Sequence, residues 1–164
     1  MINKVLKSMD EAVADIPDGA SVMVGGFAPG TPYNLVSALH RQGAKDLTLI
    51  CIAAMGLRRP DAGLLVREGR VKKLISQGGD DPEGGIPQGT FVERLRAGAA
   101  GIPAFFTPTG VGTLLAEGKE HREFNGRTYL LEHAITADYA LIRAWKADTA
   151  GNLQFQFTQR TDNP

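Results

Sequence analysis

The segment Val24-Gly25-Gly26-Phe27-Ala28-Pro29-Gly30-Thr31 joins a short apolar, β-branched run to a helical pattern that starts on proline. A glycine turn placed there sets backbone amides and a helix N-terminus at the carboxyl end of a strand, where phosphate, pyrophosphate or carboxylate is favoured. The same residues also suit a tight strand-to-helix connection that holds nothing. The glycines do not follow G-x-G-x-x-G, and Asp46 precedes the second predicted strand instead of ending it, so the dinucleotide fingerprint is not met.

Gln88, in Pro87-Gln88-Gly89-Thr90, is a second candidate. Just ahead of a helix, its amide can donate to a substrate carbonyl or a developing oxyanion, or simply satisfy loop backbone. The third is the run from Gly101 to Thr113, a strand leading into a glycine turn with threonine hydroxyls, which either lines a cleft or packs as a tight turn. His40, His121 and His133 are scattered among polar neighbours, and Cys51 stands alone in a buried run, so no metal site and no disulfide are expected. The acids Asp80, Asp81 and Glu83 lie between glycines and read as a solvated loop.

These residues need a scaffold, and the order of elements supplies one. Ser8 and Glu11 have capping-box spacing and predict a helix over 9–14. Strands are predicted at 20–24, 47–54, 71–76, 103–107 and 139–144, and helices after Thr31-Pro32, over 61–68, and over 90–97 between a second capping box at Thr90 and a terminating Gly98. Asn125-Gly126 marks a hairpin between 120–124 and 127–131, and a further strand is expected at 153–157. The βαβ rhythm predicts an α/β fold: a mostly parallel sheet covered by helices, with a β-hairpin excursion, in a single domain over 1–164.

With 164 residues, 43% of them hydrophobic, the chain is long enough for a core without staples. Its 18 basic and 18 acidic residues leave no net field to attract nucleic acid or an anionic membrane. The longest apolar stretch, 47–57, is about half of what a membrane span needs, and the first ten residues lack the apolar core of a signal peptide. A soluble, cytoplasmic protein is expected, in keeping with the single cysteine. The 20 glycines are scattered among apolar segments, as turns and close backbone approaches require.

The motifs, taken in order, closely resemble the A-type (alpha) subunit of the family I CoA-transferases. They are Asp18-Gly19, Val24-Gly25-Gly26-Phe27 with Pro32, Pro87-Gln88-Gly89-Thr90 with Glu93-Arg94, Ala100-Gly101-Ile102-Pro103-Ala104-Phe105, Thr107-Pro108-Thr109-Gly110-Val111-Gly112-Thr113, and Ala144-Trp145-Lys146-Ala147-Asp148. The resemblance implies an α/β protein that works with a B-type partner, in an A2B2 or larger heteromer, moving CoA from an acyl-CoA to a free carboxylic acid. It implies a nucleophilic glutamate on the B-type partner in a Ser-Glu-Asn-Gly context, and no catalytic nucleophile in this chain, where no glutamate precedes Asn-Gly. It further implies that Gly25, Gly26, Phe27, Ala28, Pro29, Gly30 and Thr31 approach CoA or the acyl group, and that Gln88 lies near the substrate carbonyl. Coenzyme A enters as substrate, with no permanently bound cofactor.

Departures from that pattern bear on specificity. Two residues instead of three separate Phe27 from Gly30, and Cys51-Ile52-Ala53-Ala54-Met55-Gly56 stands where the family has Ser-Asn-Asn-Ala-Gly. The 78–86 loop is short for the family, and family members continue beyond the position of Pro164. The alternatives are a CoA-thioester hydrolase or lyase of the same fold, and a non-catalytic protein that binds an anion.

Overall fold

The computed structural model describes residues 3–52, 62–77 and 85–160. The chain divides into two compact units, one built from 1–76 with 137–164 and the other from 77–136.

The first unit carries the parallel sheet. Its strands are β1 (Ser21–Val24), β2 (Leu47–Cys51), β3 (Val71–Ser76) and β7 (Tyr139–Leu141), in the order β3-β2-β1-β7, all parallel. Register aligns Val22 with Leu49 and Tyr139, and Val24 with Cys51 and Leu141, so these side chains share one face. That face forms one core with Val13 of α1 (Met9–Val13), Val36 and Leu39 of α2 (Tyr33–Gln42) and Leu65 of α3 (Ala62–Arg67). The crossovers α2 and α3 are what parallel neighbours demand, as expected from the sequence.

The second unit holds α4 (Gln88–Ala99) and an antiparallel sheet of order β4-β6-β5, from β4 (Ala104–Thr107), β5 (His121–Phe124) and β6 (Arg127–His133). Asn125 and Gly126 adopt φ of 51° and 74°, the paired positive values of a type I′ hairpin turn. In the first unit, β8 (Lys146–Ala147) and β9 (Leu153–Gln154) form a short antiparallel pair.

Local chemistry explains most boundaries. Ser8 Oγ accepts from the Glu11 amide at 3.1 Å, while Glu11 reaches back to the Lys7 amide at 2.7 Å, one residue further than a standard capping box. Gly43 ends α2 with φ of 96°, its amide bonded to the Leu39 carbonyl.

Several expectations are corrected. Pro32 is not the first residue of α2: the Tyr33 amide bonds to the Thr31 carbonyl at 2.9 Å, an inverse γ-turn that holds Pro32 at φ −79°, ψ 62° and delays the helix by one residue. Helix α4 starts at Gln88 behind Pro87, so Thr90 lies inside it and does not cap it, with a buried Oγ1 that has no hydrogen-bond partner among the described residues. Gly98 does not end α4 either. It lies within the helix because the Ile135 backbone passes too close for any side chain. Strand β7 ends at Leu141 and β9 at Gln154, the latter followed by a 3₁₀ turn over Phe157–Arg160. Of the expected loop at 78–86, residues 78–84 lie outside the described residues, as do 53–56 of the departing stretch 51–56.

Candidate functional site

The glycine turn begins where β1 ends. Gly25 donates its amide to the Leu141 carbonyl of β7 at 2.9 Å, extending the ladder, and Gly26 then turns the chain with φ of 79°. Ala28–Gly30 form a 3₁₀ turn closed by the Gly30 amide on the Phe27 carbonyl at 3.0 Å, with Phe27 exposed and Thr31 buried.

Strand order gives this turn its significance. From β1 the chain moves through α2 to β2 and β3 on one side, while β7 pairs with β1 on the other side as the edge strand. Ligands of open parallel sheets bind beyond the carboxyl ends of such strands. A cleft of about 390 Å³ lies there, lined by Thr31 to Leu35 from the β1 side, Ile142 to Ala144 from the β7 side, and Met9. Arg143 bridges its walls, donating from Nη1 to the Pro29 carbonyl at 2.7 Å. The first turn of α2 contributes the positive end of its dipole to the same cleft. Together these features suit an anionic ligand.

At the opposite ends of the same two strands a clip sets their alignment. Asp138 accepts from the Ser21 hydroxyl at 2.6 Å and from the Ser21 amide at 2.9 Å, and its own amide returns a bond to Ser21 Oγ at 2.9 Å. The hydroxyl bond first, and the amide bond second, hold the Asp138 carboxyl below the usual aspartate range.

The remaining candidates belong to the second unit. Gln88 is the first residue of α4 and is exposed. The threonines of the 101–113 run serve their own turn: Thr107 Oγ1 accepts from the Thr109 amide, and Thr113 Oγ1 donates to the Gly110 carbonyl and accepts from the Leu115 amide. His121 is held by the Lys119 carbonyl, and no cluster of metal-ligating side chains occurs among the described residues.

Two groups escaped the sequence reading. Arg143 directly precedes one of the family motifs yet gave no signal of its own, because its role depends on β7 lying beside β1. Glu132 is buried on β6, 2.6 Å from Lys119 Nζ and 3.8 Å from Arg94 Nη1. Arg94 also donates from Nε to the His133 carbonyl at 2.6 Å, tying α4 to β6. An alternating strand pattern gives no warning of a buried carboxylate.

Residues 6–164 match the Coenzyme A transferase family. The chain belongs to that family. It is 44% identical to the A-type subunit of the succinyl-CoA:3-ketoacid coenzyme A transferase of Helicobacter pylori (strain J99), over 99% of this chain and 76% of that protein. Among solved structures it is similar to the acyl-CoA transferase YdiF of Escherichia coli O157:H7, with a TM-score of 0.76 and 26% identity over 94% of this chain and 36% of that one. It is also similar to a variant of the decarboxylase AibA/AibB, with a TM-score of 0.75 and 32% identity over 98% of this chain and 70% of that one. No helix among the described residues is long and apolar enough to cross a membrane.

Proposed function

We propose that this chain is the A-type subunit of a heteromeric, cytoplasmic CoA-transferase that moves CoA from an acyl-CoA to a free 3-oxo acid or related carboxylic acid. The cleft beyond the carboxyl ends of β1 and β7 carries the reading. It brings Thr31, the last residue of the glycine turn, together with the α2 N-terminus and Arg143, and this positive setting favours the phosphates, carboxylate or thioester carbonyl that the two substrates present between them. Gln88, exposed at the start of α4, is by itself a candidate contact for a substrate carbonyl.

The nucleophile belongs to a B-type partner, in an A2B2 or larger assembly. The partner's glutamate attacks the thioester carbonyl and CoA thiolate departs; the thiolate then displaces the acyl carboxylate, leaving a glutamyl-CoA thioester. The acceptor carboxylate reverses these steps, so one thioester is lost and one formed, with no net redox change. Co-expression with the B-type chain is expected to give acceptor-dependent transfer, with hydroxylamine trapping a hydroxamate on the partner only. Transfer by the isolated chain would overturn this assignment of the nucleophile.

Similarity to a decarboxylase favours a second reading, in which the same cleft serves cleavage of an acyl-CoA. Release of carbon dioxide from a carboxylated acyl-CoA without any acceptor acid would establish it in place of transfer.

A further inference from the structure

Two hollows of the first unit meet at Met9. One is the cleft of about 390 Å³ beyond β1 and β7, where Thr31 and Arg143 stand. The other, of about 420 Å³, follows α2 and is lined by Met9, Asp10, Asn34, Ser37 and Arg41. Asn34, Ser37 and Arg41 are three and four residues apart, so they share one face of α2, the helix against which α1 packs. Met9 and Asn34 line both hollows, which makes these two side chains the partition between them.

The two differ in chemistry. Asn34 carries a short amide on the first turn of α2, whereas Met9 opens α1 with an unbranched thioether and has 47% of its surface exposed. Such a side chain adapts to irregular space and changes rotamer readily. Beyond it, Arg41 donates from Nε and Nη2 to Asp10 Oδ1 at 3.2 and 2.5 Å, so the far hollow is polar while its two charges balance. A hydroxyl or amide entering there meets the donors and acceptors of Asn34 and Ser37. A carboxylate would instead compete with Asp10 for Arg41.

We propose that Met9 limits the length of the acyl chain held in the cleft, and that the hollow along α2 is where a longer chain with an uncharged polar tail is accommodated once Met9 gives way. The inference rests on the functional reading above, which sets the reacting carboxyl group beside Thr31 and Arg143 and leaves the chain to run toward Met9. One methylene more or less in an apolar pocket changes kcat/KM by about 10–200-fold. Met9 is half exposed, so the lower end of that range applies.

The test uses the chain assembled with its B-type partner, and compares 3-oxobutanoate with 6-hydroxy-3-oxohexanoate as acceptor acids. Met9→Ala is expected to raise kcat/KM for the longer acid relative to the shorter by about tenfold. Alanine favours the helix and Met9 lies outside the buried core, so the melting temperature should hold. The dicarboxylate 3-oxohexanedioate, whose second carboxylate meets Asp10, should gain less than the hydroxy acid. Adding Ser37→Phe to Met9→Ala refills the hollow along α2 and is expected to return the ratio to that of the parent. A ratio unchanged in Met9→Ala overturns the proposal, and so does a raised ratio that Ser37→Phe leaves untouched, because the longer chain then lies elsewhere. A parent assembly that transfers CoA to no acid refutes the functional reading instead. In that case the dissociation constants of the two free acids, measured by calorimetry on the parent and on Met9→Ala, decide the role of Met9 by the same ratio.

Discussion

The Ile135 carbonyl oxygen lies 2.2 Å from the point a Cβ on Gly98 would occupy. The same approach lets the Ile135 amide bond to the Arg94 carbonyl at 2.9 Å, four residues earlier on α4. Glycine within a helix ordinarily costs about 1 kcal/mol relative to alanine, so helix propensity alone predicts that Gly98→Ala stabilises. The contact reverses the sign, because a backbone oxygen cannot move aside as a flexible side chain can. Gly98→Ala is expected to destabilise by about 2 kcal/mol, the middle of the overpacking range, read as a lower urea midpoint.

Glu132 is the second test of the same unit. Its carboxylate is buried between Lys119 and Arg94, so removing it leaves two cations facing a site built for an anion. Glu132→Ala is expected to cost about 3 kcal/mol, the lower end for a broken buried pair, because both cations are partly solvated. Lys119→Met should cost less, since Arg94 remains to compensate the carboxylate. Equal losses in urea unfolding would contradict this ordering.

The Asp138 clip makes a prediction in pH. Its folded-state pKa is depressed, chiefly by the Ser21 hydroxyl, so its contribution is fully present above the unfolded aspartate value of about 3.9. It is lost as pH falls through the lower folded value. Ser21→Ala removes the hydroxyl bond and is expected to be less stable than the parent at pH 7, with the gap shrinking on acidification below about 4. Urea midpoints at pH 7, 5 and 3 measure it; a gap that widens toward pH 3 would contradict the assignment.

What the sequence revealed of these features follows their range. Ser8 with Glu11, Gly43 and Asn125-Gly126 act within a few residues, and each occurs where local rules place it. Gly98 and Thr90 also carry local signals, of a helix end and a cap, but Gly98 is governed by Ile135 far along the chain and Thr90 by a helix that starts at Gln88. The glycine turn was legible as an anion-binding candidate because a strand, glycines and a helix are contiguous there. The cleft itself was not, since it exists only once β7 inserts beside β1 and carries Arg143 to Pro29.

That insertion gives the last prediction. Arg143 both holds the turn, through the Pro29 carbonyl, and lines the cleft with a positive charge. A hydrogen bond involving a charged group contributes about 1.5–3 kcal/mol, which corresponds to roughly tenfold or more in affinity. Arg143→Ala, assayed in the assembled enzyme, is expected to raise the KM for acyl-CoA about tenfold. Arg143→Lys keeps the charge but loses the planar fork that reaches Pro29 and faces the ligand together, so it should recover only part of that loss. Full recovery by lysine would show that charge alone acts at this position, and an unchanged KM in the alanine variant would remove the cleft from the substrate site.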